Sequence, residues 1–244
     1  MQNKIVVLQP LFLPWIGVFE QIKMADIYVH YDDVQLPFGR SFTNRVQLKT
    51  GPSTSWLTAP IERQYANVLI KQVKFAEERW RTKHLERIRH IYSKARYFDT
   101  MFELVREIYH YDTSCLADFN INALEFLARW LKLNPRFIRS SEIGLEGSGT
   151  ERLLKICMAL GGSTYITGHG AANYLDHSRF DEHHVQVEYI NYKKISYAQL
   201  AGDFTPYVSI IDAIANLGEG VSSLLCSETM SWKDFTSGRS LFGL

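Results

Sequence analysis

Short apolar runs bounded by polar turns alternate along this chain with stretches of helical spacing. KIVVLQP at residues 4–10 is a β-branched run that stops at Pro10, the pattern of a buried strand. From Pro14 to Met24, Trp15, Val18, Phe19 and Ile22 fall at i, i+3, i+4 and i+7 on one helical face. Pro14 suits the first helical turn, where its missing N–H costs nothing. DIYVHYDDVQ at 26–35 reads as a second strand, so the opening predicts a parallel βαβ unit. TNRVQLKTGPSTSWLTAPI at 43–61 reads as a hairpin turning at Gly51-Pro52, and VLIKQVKF at 68–75 as another short strand.

The pattern changes over 77–133, where amphipathic spacing predicts helices near 79–95, 99–111 and 115–132, ending at Asn134-Pro135. Strand signals then return in RFIRSSEIG (136–144) and STYITGHG (163–170), around a helix GTERLLKICMALGG (149–162). HHVQVEYIN (183–191) reads as an edge strand, and FTPYVSIIDAIANLG (204–218) as a helix with Pro206 near its start and Gly218 just past its end. These elements predict one α/β domain over residues 1–244: a mostly parallel, Rossmann-like sheet, a helical insertion at 77–133, and C-terminal helices.

With 46% hydrophobic and 13% aromatic residues among 244, the chain can bury a substantial core, which excludes disorder. The net charge of +1 comes from interspersed acids and bases and offers no electrostatic footprint for nucleic acid. No apolar run is long enough for a membrane span or a signal peptide. Cys115, Cys157 and Cys226 are widely spaced, suggesting neither disulfides nor a metal site, and the expected compartment is the reducing cytoplasm. His183 and His184 are adjacent, again without metal-ligand spacing. No P-loop, GxGxxG fingerprint or GxSxG elbow is present, so no cofactor is named.

Ligands in open α/β sheets sit beyond the carboxyl ends of the strands, which singles out four segments. Gln9, Pro10 and Trp15 occupy the first strand–helix junction, as a ligand rim or as a rigid turn capping the core. At the second junction, Asp33 is a candidate base or hydroxyl acceptor, while Arg40, Asn44 and Arg45 are candidate holders of phosphate or carboxylate. Adjacent strand residues point to opposite faces, so Asp32 and Asp33 act as a pair only if the strand has already broken into loop. In YITGHGAANYLD, Gly168 permits close backbone approach and His169 is a candidate base, though a lone histidine is more often structural. Tyr174 and Asp176 can hydrogen-bond a polyhydroxy ligand or finish the turn. Ser209, Asp212 and Asn216 form a polar stripe nearly surrounded by apolar residues, which lines either a buried cleft or water. The expectation is that Gln9, Asp33, His169 and Asp212 converge on one polar hollow, with Trp15 and Trp56 supplying flat apolar surface.

LQPLFLPWIGVFEQIKMADIYVHYDDVQLPFGRSFTNR, WLTAP, YITGHGAANYLD and QLAGDFTPYVSIIDAIANLG, in that order, resemble the WbqC-like protein family. The resemblance spans about residues 4–220 and is weakest across the helical insertion. It implies functional positions at Gln9, Pro10, Pro14, Trp15, Gly17, Asp26, Asp33, Asn44, Arg45 and Trp56, and at Gly168, Tyr174, Asp176, Pro206, Ser209, Asp212 and Asn216. It further implies a cytoplasmic step in bacterial O-antigen or related surface-polysaccharide synthesis, expected to be N-acyl or N-aminoacyl transfer onto a nucleotide-linked amino sugar. The expected partners are that sugar and an acyl or amino-acid donor, with Asp33, His169 or Asp212 as catalytic groups. The opening is also similar to HIGH-type nucleotidyl-transferring folds, which leaves an ATP-dependent ligase or nucleotidyltransferase as an alternative. The loop histidines such enzymes need are absent, PWIG followed by Val18 standing in their place. A non-catalytic nucleotide-sugar-binding or assembly protein is the third reading.

Overall fold

The computed structural model describes residues 3–37, 39, 41–63, 67–76 and 79–242. β1 (Asn3–Leu8) leads through α1 (Ile16–Met24) to β2 (Ile27–His30), and the two strands pair in parallel with Val6 opposite Tyr28. Val18, Phe19 and Ile22 of α1 are buried, as their spacing requires, and Glu20 and Gln21 on its other side are buried as well. The helix starts two residues after Pro14, because that proline is held sideways. Its carbonyl accepts the Ile210 N–H at 2.9 Å, and Trp15 makes an antiparallel bridge to Ser209.

β3 (Arg45–Thr50) and β4 (Ser53–Thr58) form the expected hairpin as a separate two-stranded sheet. The strand expected at 68–75 is instead a 3-10 turn at Ile70–Gln72 flanked by isolated bridges, Gln35 to Leu69 and Lys74 to Cys115. Together with a third bridge from Phe75 to Ile61, they draw the segment in three directions, so no continuous ladder forms. α2 (Trp80–Tyr92), α3 (Phe98–His110) and α4 (Leu116–Trp130) follow as expected. β5 (Arg136–Arg139), α5 (Ser140–Ile143), α6 (Gly149–Ala159), β6 (Gly162–Thr167), α7 (His177–Glu182) and β7 (Gln186–Asn191) return the chain to the sheet. α8 (Ile210–Leu217), β8 (Glu228–Ser231) and α9 (Trp232–Phe242) complete it.

The six-stranded sheet has the order β5-β2-β1-β6-β7-β8, with all neighbours parallel except β8, which runs antiparallel to β7. β7 is therefore not the edge its sequence suggested, since Tyr189 and Ile190 find partners in Met230 and Thr229 far along the chain. α8 starts four residues after Pro206, because Ser209 accepts the Ile211 N–H and acts as its N-cap. Gly218 ends it with φ +57, and a Cβ there would lie 2.7 Å from the Tyr97 ring, so glycine is needed on both counts.

Both faces of the sheet are covered. Ile5, Val7, Val29, Tyr165 and Val187 pack against Leu153, Ile156 and Phe180 of α6 and α7. Val6, Tyr28 and Ile166 share the other core with α1, the helices of the 77–133 stretch, α8 and the hairpin. Hydrogen bonds tie the helices in. His30 Nε2 meets Glu125 of α4 at 3.0 Å, and the Asn120 side-chain amide donates to the carbonyls of Pro10 and Thr43.

His84 of α2 joins three elements. Its Nε2 lies 3.0 Å from the Thr58 carbonyl of β4 and must donate to it, which leaves Nδ1 to accept from the Tyr109 hydroxyl of α3 at 3.0 Å. Burial pushes this imidazole down to about 4. The unfolded chain therefore takes up a proton near its ordinary value of about 6.5 before the folded chain does. His84's contribution is complete above that pH and is lost as pH falls toward 4, reaching about 2 kcal/mol at pH 5. Urea titrations from pH 7.5 to 4.5 should show this decline, and His84→Gln should flatten it.

Candidate functional site

The chain leaves β1 toward β2 on one side and later returns through α6 to place β6 on the other. The winding thus reverses beside β1, where open α/β sheets expose a crevice at their carboxyl ends. A hollow of about 530 Å3 lies there, within the usual size range of ligand sites. Gln9 comes from the end of β1, Tyr31 and Asp33 from the end of β2, Ser148 and Arg152 from the start of α6, and Tyr174 from the segment after β6.

β2 ends at His30, so Asp32 and Asp33 stand on loop backbone and can share a partner. The Ser140 hydroxyl sits between them, 2.5 Å from Asp33 Oδ1 and 3.2 Å from Asp32 Oδ1. Asp32 is buried and also accepts the Ser141 N–H and hydroxyl, at 3.1 and 2.9 Å, which binds the end of β2 to α5. Asp33 faces the hollow, and its Oδ2 lies 2.6 Å from the guanidinium of Arg152. Arg152 Nε donates to the Leu145 carbonyl at 3.0 Å, and the guanidinium lies 5.0 Å from the Tyr31 ring centre. Burial pushes the Tyr31 phenol up, with the Arg152 charge pulling the other way. The turn into α6 runs through Gly147 at φ +123, and the Ser148 N-cap makes no side-chain cap bond. The first-turn amides of this eleven-residue helix therefore lack the usual internal acceptor and favour an anion.

Gln9, Asp33 and Tyr174 are the sequence candidates that meet in this hollow. His169 and Asp212 do not line it. His169 Nε2 donates to the Ile190 carbonyl at 2.7 Å, and its ring packs on Tyr192 and Phe235. A Cβ at Gly168 beside it would lie 3.4 Å from the Tyr192 hydroxyl. Asp212 is fully buried and accepts from Tyr197 at 2.8 Å and Gln199 at 3.0 Å, and burial pushes its carboxyl up. Ser209 donates to the Leu13 carbonyl and Asn216 to the Asp212 carbonyl, so the polar stripe of α8 points inward, with only Asp212 Oδ2 left without a hydrogen bond among the described residues. Asp176 caps α7 through the Ser178 N–H, and the Ser178 hydroxyl holds its carboxyl below the usual range. The Pro10 carbonyl is taken by Asn120, and the Asn44 amide donates to Ala59. Trp15 lines a different, apolar hollow, while Arg45 lies over Trp56 with 4.1 Å to the ring centre. Arg40 is outside the described residues. Among the described residues no group of three or more His, Cys, Asp or Glu side chains is placed to hold a metal ion.

Arg152, Tyr31, Ser140 and the start of α6 were not singled out in the sequence. A legible signal existed for Arg152, which shares the buried stripe of α6 with Ile156 four residues on. A charge on an apolar helical face demands a partner.

The pairing of Asp33 with Arg152 should be measurable. Arg152→Met leaves a largely buried carboxylate without its cation and should lower stability by about 3 kcal/mol in urea titrations. Arg152→Met with Asp33→Asn should recover most of that loss.

No solved structure matches the chain. It is similar to the uncharacterized protein Rv1507c of Mycobacterium tuberculosis, with 30% identity over 227 residues that cover 88% of this chain and 94% of that relative. The model of the WbqC-like protein family matches residues 9–222, from Gln9 in the polar hollow to the turn after α8. The hollow, the aromatic loop and strands β2, β5, β6 and β7 of the sheet fall within that match, and the chain belongs to the WbqC-like protein family.

Proposed function

We propose that this chain is a cytoplasmic transferase that places an acyl or aminoacyl group on the amino group of a nucleotide-linked amino sugar during bacterial surface-polysaccharide synthesis. The observation that carries the reading is the Asp33–Arg152 pair in the wall of a polar hollow at the reversal point of the sheet, beside the open start of α6. A nucleotide-linked sugar brings phosphate and hydroxyl groups together. The first-turn amides of α6 suit the former, and Gln9 and Tyr174 suit the latter.

In the reaction, the sugar nitrogen bonds to the acyl carbon, and the donor's leaving group departs with the electron pair of the broken bond. The nitrogen sheds one proton, which Asp33 accepts from within the hollow. Arg152 keeps the Asp33 carboxyl in place through that transfer, and Ser140 fixes its other oxygen. His169 and Asp212 act indirectly, by holding the segment after β6 and the segment before α8.

The test mixes the protein with dTDP- and UDP-linked amino sugars and a panel of acyl and aminoacyl donors, with and without ATP and magnesium, and reads products by mass spectrometry. The expected result is an acylated sugar without ATP, with Asp33→Asn lowering turnover about 100-fold or more. Product only in the ATP-containing mixtures would make the chain a ligase instead. Sugar binding without product anywhere in the panel would make it a binding protein.

A further inference from the structure

The loop that presents Gln9 to the polar hollow also builds a second one. Leu11, Phe12, Pro14 and Trp15 line a hollow of about 350 Å3 together with Phe42 and Tyr207. The lining is hydrocarbon and aromatic, yet Phe42 and Tyr207 remain 53% and 48% exposed, leaving large apolar surface in water at the mouth.

A cation lies directly at the Tyr207 ring and another one ring removed from Phe42. The Phe42 ring lies 5.8 Å from Trp56, and Trp56 carries the Arg45 guanidinium at 4.1 Å. The Lys194 ammonium lies 5.1 Å from the Tyr207 ring centre. Neither cation forms an ion pair with a carboxylate among the described residues. Arg45 Nε is moreover buried without any hydrogen-bond partner there. A guanidinium laid flat on an indole keeps its edge donors available and loses little freedom on binding. An apolar slot with cations that form no ion pair among the described residues close to its exposed rings complements a ligand that is hydrocarbon at one end and anionic at the other.

We propose that this slot takes the hydrocarbon or aryl part of a small acyl ligand whose anionic group is met by Arg45 and Lys194. A hollow of about 350 Å3 is at the small end of the range for ligand sites, ~300–1,000 Å3, so a short chain or a single ring fits it and a long lipid does not. The assignment of that acyl group as the transferred one rests on the transferase reading above. Binding in the slot is a separate observable.

The experiment uses the full wild-type chain with no amino sugar present, so that no transfer can occur. Sodium octanoate below its micelle concentration, 1-octanol and sodium acetate are titrated in turn, with calorimetry and the fluorescence of Trp15 and Trp56 as readouts. Octanoate should bind about tenfold tighter than octanol, and acetate should not bind in the same range. Phe42→Ala and Tyr207→Ala, both at exposed rings, should each weaken octanoate about tenfold. Arg45→Gln with Lys194→Gln should erase its advantage over octanol. Octanoate binding no tighter than acetate, affinity indifferent to both ring variants, or octanol matching octanoate on the unsubstituted rim would each overturn the proposal. Octanoate bound in the slot with no product from the wild-type chain would sink the transferase reading alone.

Discussion

Everything at the candidate site depends on β1 running between β2 and β6, parallel to both. Parallel strands end on the same side, so the loops that follow β1, β2, β5 and β6 are all delivered to one edge of the sheet. The connections from β1 and toward β6 diverge there, and no helix can cover the gap between them. Residues as far apart in the chain as Gln9, Asp33, Arg152 and Tyr174 meet for that reason.

Charge then does what the apolar core cannot, which is to order the loops at that edge. Asp32 fixes the end of β2 to α5 through Ser140 and Ser141, and Asp33 fixes the same loop to α6 through Arg152. A second buried polar group serves the other core. Lys49 of β3 donates to the Asp203 carbonyl at 2.6 Å, while Asp212 accepts from Tyr197 and Gln199. Together these hold residues 197–205 against the hairpin and α8. Buried charges are costly, and each of these has partners that offset part of the cost. The difference lies in exposure to a ligand, because only the Asp33 group opens onto a polar hollow.

The stiff opening loop separates the two hollows. Gln9 faces the polar one, whereas Pro14 and Trp15 wall the apolar one, and the Trp15 ring is pinned by Tyr192 at 4.8 Å and Tyr207 at 5.3 Å. Gly17 is part of the same arrangement, since a Cβ there would lie 2.3 Å from the Trp15 ring. A rigid divider of this kind keeps two parts of a ligand, or two ligands, in fixed relation at low entropic cost.

Local pattern by itself determined the parallel β1–α1–β2 opening, the buried face of Val18, Phe19 and Ile22, the Gly51-Pro52 hairpin and the three helices after residue 79. Each is written in spacing over a few residues, as is the set of motifs that carries the family membership. The pattern did not determine that 68–75 is torn among several partners, that β8 covers β7, or that the Ser209–Asp212–Asn216 stripe faces inward to its own hydrogen bonds. Nor did it bring forward Arg152, whose partner Asp33 lies more than a hundred residues earlier. Periodicity reports which face of an element is buried, but the choice of neighbour is settled by long-range packing. Only the folded sheet could decide which polar residues share a hollow and which spend their hydrogen bonds on the scaffold.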